Sequence, residues 1–235
     1  MPLNLILAEA ALELVPKSLL EHPSVIAHAK RRRRKPTETM LDRNYHYSAM
    51  RPFEKFEKRG RPDIVHFSAL EALGSPLNRE GQLQIWIHTV QDEVIQVDPK
   101  TRLPRNYDRF VSLMEQLLVK RKVPPQGAPL LSVKAMSLTE LIGRIQPTEL
   151  IALSTLGHPS TLERICHDLA KTEKPSIMVG CFPKGHFTNQ NARLADRILR
   201  IDREALESWV VVSRAIYEYE CTIEGFHQRR LSGRP

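Results

Sequence analysis

Apolar positions in the second half of the chain alternate between continuous runs and helical periods. The continuous runs, which are typical of buried strands, are LLSVKA, TELIALSTL, PSIMVGCF and RILRI. The segments with a helical apolar period are SLTELIGRI, STLERICHDLAKTE and EALESWVVVSRAIYEYE. Ser137 with Glu140, and Ser160 with Glu163, have the spacing of capping boxes at two helix starts. Strands that alternate with helices predict an α/β domain with a mostly parallel sheet.

The first part of the chain begins with an apolar segment and continues into a basic one. LNLILAEAALELV predicts a strand or buried segment. Its Glu9 and Glu13, and the lack of a basic start, argue against a signal peptide. Residues 22–34 predict a helix that Pro36 would end. The polar residues 36–62 predict turns.

Two further segments precede the middle of the chain. RPDIVHFSALEALG favours a helix that begins at Pro62, with a strand as the alternative. SPLNREGQLQIWIHTVQDEVIQVDP predicts a β-hairpin, because LQIWIHTV and EVIQVD are rich in β-forming residues. The polar pair Gln91–Asp92 lies between these two runs and predicts the turn of the hairpin.

The stretch DPKTRLPRNYDRF precedes a segment of helical period and carries three arginines, Arg102, Arg105 and Arg109. Pro104 can begin a helix, and on such a helix Arg105 and Arg109 face away from the apolar side. A solvated helix face accounts for that placement. Cations at a helix start nevertheless oppose the macrodipole, which favours a role in binding an anion.

The positive charge is concentrated in one segment. The formal net charge is +8, and Lys30–Arg61 contains 12 Lys and Arg against 4 Asp and Glu. This concentration favours an anionic partner such as nucleic acid, although KRRRRK alone is equally well explained as a solvated run. No apolar run approaches the roughly 18 residues of a membrane span. The three cysteines form no CxxC pair, so we expect neither a disulfide framework nor a zinc site, and we expect a reducing cytoplasm.

Ligands of parallel α/β sheets bind beyond the carboxyl ends of the strands. This rule selects the loops after Ser154, Val179 and Leu199. The second loop, GCFPKGHF, has two glycines that let the backbone approach a ligand, with a plain turn as the alternative. It matches neither a P-loop nor a dinucleotide-binding fingerprint, and the sequence contains no metal or hydrolase motif.

The tripeptide RPD places Asp63 two residues after Arg61. A carboxylate in that position can orient the guanidinium for bidentate contact with phosphate. The alternative is an ordinary helix start with an acidic residue in its first turn.

Several of these strings together resemble a known family. They are MLDRNYHYSAM, the segment from RPDIVHF to MEQLL, the GCFPKG loop and LESWVVVSRAIYEYE. The chain resembles, over nearly its whole length, the Nep/Emg-type methyltransferases of small-subunit ribosomal RNA, which belong to the SPOUT class. The most specific matches are LNREGQLQIWIHT and DPKTRLPRNYDRF.

The resemblance implies one SPOUT-type α/β-knot domain over residues 1–235. It has a C-terminal trefoil knot, and residues 30–100 carry a basic and β-hairpin elaboration. It implies a cytoplasmic homodimer that uses S-adenosylmethionine, without a metal or a membrane, and acts on a pre-ribosomal particle. The implied reaction is methylation of nitrogen 1 of a pseudouridine in 16S-type rRNA. The alternative is a non-catalytic rRNA-binding assembly factor.

The resemblance also implies the site residues. The implied cofactor contacts are Thr155 or Leu156, Gly180, Gly185, Ile201, Asp202, Arg203, Glu204, Ala205 and Leu206. The implied rRNA contacts are Arg61, Arg102, Arg105 and Arg109, with Asp63 supporting Arg61. Asp63 is also a candidate catalytic base, but its pairing with Arg61 would favour the charged form and weaken it as a base. Cys181, Lys184 and the string IDREAL depart from the family pattern, so the third loop is the least certain part.

Overall fold

The computed structural model describes residues 2–53 and 55–231. The strands are β1 (Leu3–Ala10), β2 (Leu83–Thr89), β3 (Glu93–Val97), β4 (Lys122–Val123), β5 (Leu131–Ala135), β6 (Glu149–Pro159), β7 (Pro175–Gly180) and β8 (Arg197–Arg200). The helices are α1 (Pro23–Arg31), α2 (Arg43–Met50), α3 (Pro62–Gly74), α4 (Pro76–Arg79), α5 (Tyr107–Lys120), α6 (Leu138–Ile145), α7 (Leu162–Leu169), α8 (Asn189–Ala192), α9 (Ser208–Thr222) and α10 (Phe226–Leu231).

The strands form one eight-stranded sheet in the order β4-β5-β3-β2-β1-β7-β6-β8. Every pairing from β2 to β8 along this order is parallel, and the pairings of β2 with β3, β3 with β5, and β5 with β4 are antiparallel. The predicted α/β fold with a mostly parallel sheet and a β-hairpin is therefore confirmed. The hairpin contributes two neighbouring strands to the common sheet instead of standing apart from it.

Strand β1 lies inside the sheet, and its alternating side chains serve two cores. Leu5 and Leu7 pack into the larger core with residues of α3, α5, α7 and α9. Ile6 and Ala8 face the opposite core, which includes residues of α6 and the loop before α8. This alternation follows from the two-residue period of a strand. It explains why the sequence of β1 is apolar at nearly every position.

Some predicted boundaries agree with the structure and others do not. Pro62 is the first residue of α3, so the helix prediction is correct and the strand alternative is wrong. The capping box of Ser137 with Glu140 is confirmed. Helix α7 instead begins after Thr161, whose side chain accepts a hydrogen bond from Arg164 N, so the predicted Ser160 box is wrong by one residue.

Helix α5 begins at Tyr107 and not at Pro104. The side-chain oxygen of Asn106 accepts a hydrogen bond from Arg109 N at 3.0 Å, and asparagine is a strong N-terminal cap. Arg102 and Arg105 consequently lie in the loop before the helix. The argument from helical faces applies to Arg109 alone.

The turns predicted for residues 36–62 contain a helix. Residues Arg43–Met50 form α2, which Asp42 caps by accepting a hydrogen bond from Asn44 N. Helix α1 ends at Arg31, so the helix predicted to continue to residue 34 is three residues too long. Residues Pro76–Arg79, which the hairpin prediction included, form the short helix α4.

Strand β6 continues through the loop that was predicted after Ser154. Its register with β8 shifts between Leu153 and His158, both of which align with Leu199. A Cβ atom at Gly157 would lie 2.5 Å from the carbonyl oxygen of Ile198, so only glycine allows β6 to lie this close to β8. The trefoil knot and the single-domain organisation stay predictions, and Met1, Glu54 and residues 232–235 lie outside the described part of the chain.

Two buried histidines join α1 to α2. The N–H of Asp42 donates to His46 Nδ1 at 3.1 Å, so His46 Nε2 carries the hydrogen that faces His28 Nδ1 at 3.0 Å. Burial lowers the pKa of both histidines to about 4, and the charges of Arg32 and Arg31 act in the same direction on His28. The pair is therefore neutral at pH 7.

We expect the protein to lose stability as the pH falls from about 6.5 toward 4. In this window the unfolded histidines take up protons while the folded pair does not, so the free energy of unfolding decreases. For each histidine, the free energy of unfolding can decrease by at most about 1.4 kcal/mol per pH unit. Denaturant titrations at pH 7 and pH 5 measure this slope. The double variant His28→Gln/His46→Gln should show a flatter slope, and the exposed control His167→Gln should not. Equal slopes in all three proteins would contradict this account.

Candidate functional site

A cavity of about 290 Å³ lies at the carboxyl ends of β7 and β8 and beside the middle of β6, where the register of β6 with β8 shifts. Its walls come from the three chain segments that follow Leu153, Val179 and Leu199, as the topology of the sheet predicts. From the implied cofactor residues, the lining includes Thr155, Gly180, Gly185, Ile201, Asp202, Glu204, Ala205 and Leu206. Leu156, which is 72% exposed, and Arg203 lie outside the lining.

The lining combines apolar walls with carboxylates. Leu153, Val179 and Phe187 supply apolar surface, and Asp202 and Glu207 are acidic. Such a mixture suits a ligand that has both a flat apolar part and polar or cationic groups. Within residues 2–53 and 55–231, no cluster of three or more His, Cys, Asp or Glu side chains is arranged to hold a metal ion.

The segment GCFPKGHF forms one wall of the cavity. Gly185 has a φ of 91°, a backbone conformation in which a residue with a side chain would be strained. Ser208, at the start of α9, donates a hydrogen bond from its hydroxyl to the carbonyl oxygen of Gly180 at 2.7 Å. This hydrogen bond joins the second wall, formed by the segment after Val179, to the third wall, formed by the segment after Leu199.

A buried ion pair anchors the same segment from outside. Glu9 accepts hydrogen bonds from Lys58 Nζ at 2.8 Å, Thr188 N at 2.7 Å and Asn191 Nδ2 at 2.9 Å. Lys58 also donates to the carbonyl oxygen of His186, and its ammonium lies 4.2 Å from the centre of the Phe182 ring. Burial raises the pKa of Glu9, but the hydrogen bond from Lys58 and the two others outweigh burial and lower it overall. Glu9 is therefore charged.

Sequence reasoning did not assign a role to this pair. The available signal was Glu9 itself, an acidic residue in a strand that is otherwise apolar. Glu9 also has a φ of 51° and lies where the register of β1 with β2 shifts. A strained backbone around a buried charge is a common sign of a functional position.

Arg61 and Asp63 form a fork-shaped ion pair at the start of α3. The guanidinium donates from Nε to Asp63 Oδ1 at 2.8 Å and from Nη2 to Oδ2 at 2.7 Å. Hydrogen bonding to Asp63 raises the pKa of Arg61, and the charge of Glu207 contributes. Arg61 is not part of the cavity lining, but its N–H donates to the carbonyl oxygen of Ala11, whose own N–H donates to the carbonyl oxygen of Cys181 in the second wall segment. Both oxygens of Asp63 are occupied, so the geometry supports its orienting role and not a role as base.

Arg102 and Arg105 on the loop before α5 and Arg109 on its first turn are all exposed, and two hydrogen bonds hold the end of the loop that leads into α5. His66 Nε2 donates to the carbonyl oxygen of Pro104 at 2.7 Å. Tyr107 donates from its hydroxyl to Asp42 Oδ2 at 2.6 Å.

Asp42 lies between this loop and the Arg61–Asp63 pair. Burial raises the pKa of Asp42, and the charges of Asp63 and Arg61 also act on it, in opposite directions. The structure therefore brings the arginine loop and Arg61 to one side of the molecule.

The family model described as EMG1/NEP1 methyltransferase matches residues 5–220. The chain belongs to the EMG1/NEP1 methyltransferase family. The Nep1 small-subunit rRNA methyltransferase of Staphylothermus marinus is 46% identical over 92% of this chain and 94% of its own length. The corresponding Nep1 protein of Pyrococcus furiosus is 44% identical over 93% of this chain and 96% of its own.

A solved Nep1 structure has the same fold. The crystal structure of Archaeoglobus fulgidus Nep1 bound to S-adenosylhomocysteine matches with a TM-score of 0.84 and 33% identity. The match covers 94% of this chain and 99% of that one. The family resemblance drawn from the sequence motifs is confirmed. The assignment of individual residues to cofactor or RNA stays a prediction.

In this EMG1/NEP1-family chain, we expect Lys58→Met to weaken the binding of S-adenosylmethionine, the ligand that the resemblance implies. Loss of a charge-assisted hydrogen bond to the cavity wall corresponds to roughly a 10- to 100-fold weaker affinity. Isothermal titration calorimetry measures this affinity. Lys58→Arg should retain most of the affinity, and Lys171→Met, at an exposed site, should retain all of it.

A double variant distinguishes an effect on the position of the cavity wall from an effect on the stability of the fold. Lys58→Met alone leaves the buried Glu9 carboxylate without its cation, which destabilises the fold. Glu9→Gln/Lys58→Met removes both charges and should recover thermal stability while the cofactor affinity stays low. Recovery of both quantities together would show that the pair does not position the wall.

Proposed function

We propose that this chain methylates nitrogen 1 of a pseudouridine in small-subunit rRNA, with S-adenosylmethionine as methyl donor. The proposal rests mainly on one observation. Arg61, oriented by Asp63, is linked through Ala11 to the second cavity wall, and it lies near enough to Tyr107, at the end of the loop that carries Arg102 and Arg105, for the two groups to interact. A donor pocket and an anion-binding surface therefore meet at a single residue. The Nep1 names of the relatives support the choice of small-subunit rRNA.

The cavity residues fit S-adenosylmethionine. Apolar side chains such as Leu153, Val179 and Leu206 suit the adenine ring, and Asp202 and Glu207 suit ribose hydroxyls and positive charge. The glycines determine the shape of the second wall, because a Cβ atom at Gly180 would lie 2.8 Å from the Phe182 ring and Gly185 has a φ of 91°. The cofactor supplies a methyl group on a sulfonium, which is already an activated leaving group. The protein accordingly needs to orient the reactants and exclude water.

The arginines would hold the RNA by its phosphates. Guanidinium groups bind phosphate in a bidentate manner, and Arg102 and Arg105 on the loop before α5 and Arg109 on its first turn are all exposed. Arg61 would act closest to the reacting nucleotide because it is linked through Ala11 to the second cavity wall. The target base must leave its stack to reach the methyl donor. Phosphate contacts on both sides of the base would fix its register.

The choice of pseudouridine is partly chemical. Its ribose is attached to carbon, so nitrogen 1 carries a hydrogen, whereas the same nitrogen of uridine carries the sugar. The engagement of both Asp63 oxygens with Arg61 argues that Asp63 positions Arg61 and does not remove this proton.

The proposal extends to the organisation of the protein. We propose a single catalytic domain that acts as a cytoplasmic homodimer on a pre-ribosomal particle. Exposed rings on α3 and α9 support the dimer, since Phe67 is 46% and Tyr217 59% exposed. Phe67 also contacts Trp209 of α9, with ring centres 5.2 Å apart. Within the described residues, no helix is long and apolar enough to cross a membrane.

Methyl transfer should occur on an RNA hairpin that contains pseudouridine and not on its uridine counterpart. The measurement is the incorporation of labelled methyl groups into the two RNAs. Arg105→Ala should weaken RNA binding roughly 10- to 100-fold and leave cofactor affinity unchanged. Arg164→Ala, at an exposed position on α7, is the control. Equal labelling of both RNAs would refute the proposed specificity, and RNA binding without labelling of either would favour a non-catalytic assembly factor.

Substitution of the exposed rings should convert a dimer into a monomer. A carboxylate at Phe67 or Tyr217 would be desolvated in an interface formed by α3 and α9, which is unfavourable. Sedimentation velocity of Phe67→Glu and Tyr217→Glu measures the change. Val119→Glu, at an exposed position on α5, should sediment like the unmodified protein. A monomeric parent protein at micromolar concentration would exclude the dimer.

A further inference from the structure

The basic run Lys30–Lys35 is divided by the fold into two sets of side chains. Arg32 and Arg34 turn inward and share the fully buried carboxylate of Glu115, at 3.0 Å and 2.8 Å. The other oxygen of Glu115 accepts a hydrogen bond from Met40 N at 3.0 Å. These two arginines therefore neutralise a buried charge and hold the segment in place.

The alternate residues of the run point outward. Arg31, Arg33 and Lys35 are exposed, and within the described residues neither Arg31 nor Arg33 pairs with a carboxylate. Lys35 approaches Glu38 at 3.9 Å, with 79% of its side chain exposed, so this pair contributes little. Three exposed cations thus occupy alternate positions of one short segment.

An exposed ring adjoins these cations. Tyr45 of α2 is 38% exposed and stacks on His28 with ring centres 4.0 Å apart. The guanidinium of Arg31 lies 4.7 Å from the centre of the same ring. The His28–His46 hydrogen bond keeps the two helices together beneath it. The surface of Arg31, Arg33, Lys35 and Tyr45 is called the α1–α2 platform below.

The segment that carries the α1–α2 platform contacts α5, the helix whose first turn carries Arg109. Arg32 donates to Ser112 Oγ at 3.0 Å and lies 4.0 Å from Asp108, so the end of α1 contacts the first turns of α5. Tyr45 lies near enough to Tyr107 to help raise the pKa of that phenol, after burial and Asp42. A polynucleotide held by Arg105 and Arg109 can therefore reach the platform without leaving the protein surface.

We propose that the α1–α2 platform binds a single-stranded RNA segment that flanks the methylated loop. Cations next to an exposed aromatic ring match the needs of an unpaired strand, whose phosphates bind the cations and whose bases stack on flat groups. The proposal rests on the proposed function, because it needs the target RNA on the neighbouring arginines. It assigns Arg31, Arg33, Lys35 and Tyr45 a role that the arginine loop does not perform.

The test compares two RNAs, the target hairpin alone and the same hairpin with about ten unpaired nucleotides on each side, a length within the range one binding site covers. The platform variants are Arg31→Ala/Arg33→Ala/Lys35→Ala and Tyr45→Leu. The charge-matched control is Arg164→Ala/Lys171→Ala/Lys174→Ala, at exposed positions on α7 and the turn after it. Dissociation constants are measured for each protein and RNA across a series of salt concentrations.

We expect the flanked RNA to bind the unmodified protein more tightly than the bare hairpin. Both platform variants should weaken only the flanked complex, on the order of tenfold for Tyr45→Leu. The triple platform variant should lower the salt slope by about 0.7 for each phosphate that it no longer neutralises, whereas Tyr45→Leu should leave the slope unchanged. Cofactor affinity and methylation of the bare hairpin should stay at the level of the unmodified protein.

Three results would overturn the platform while leaving the methyltransferase proposal intact. They are equal affinity for flanked and bare RNA, an equal decrease in affinity for both RNAs, and a decrease matched by the control triple. Competition by polyglutamate as effective as that by the RNA flank would also overturn it, in favour of an acidic protein partner. Failure to methylate the pseudouridine hairpin, with platform-dependent binding of the flanked RNA preserved, would overturn the proposed reaction and retain the platform.

Discussion

A buried carboxylate at the end of β1 joins the basic segment of this protein to the segment that follows β7. Glu9 lies at the carboxyl end of β1, where the register of the sheet shifts, and binds Lys58 from the basic segment and Thr188 from the segment after β7. Because a buried charge must be paired, these groups are held in one arrangement. The wall of the cavity and the segment that leads to Arg61 consequently share one anchor.

The same logic divides the basic residues into two populations. Three basic residues pair with carboxylates that are buried or partly buried. Glu9 pairs with Lys58, Glu13 with Arg59 and Asp63 with Arg61. Arg102, Arg105 and Arg109 remain exposed on the loop before α5 and on its first turn. Paired cations determine shape and exposed cations attract phosphate. A net charge of +8 alone does not distinguish these two uses.

The positions of the strands other than the two-residue β4 could be predicted because each of them has a strong apolar pattern, and the order of strands and helices predicted the parallel sheet. That sheet in turn predicted which three segments border the cavity. Boundaries were less predictable where two residues compete for one role. Asn106 caps α5 in place of Pro104, and Thr161 caps α7 in place of Ser160, because the cap depends on backbone angles that sequence spacing does not specify.

By itself, the sequence determined the fold class, the concentration of positive charge and, through its motifs, the family. Tertiary structure alone decided which charges meet. Glu9 and Lys58 are separated by 49 positions, and Arg34 binds a carboxylate of α5 that lies far along the chain. Such pairs have no periodicity to reveal them. A charged side chain appears the same in a sequence whether it is buried against a partner or free to bind phosphate, and only the packing of distant segments selects between the two.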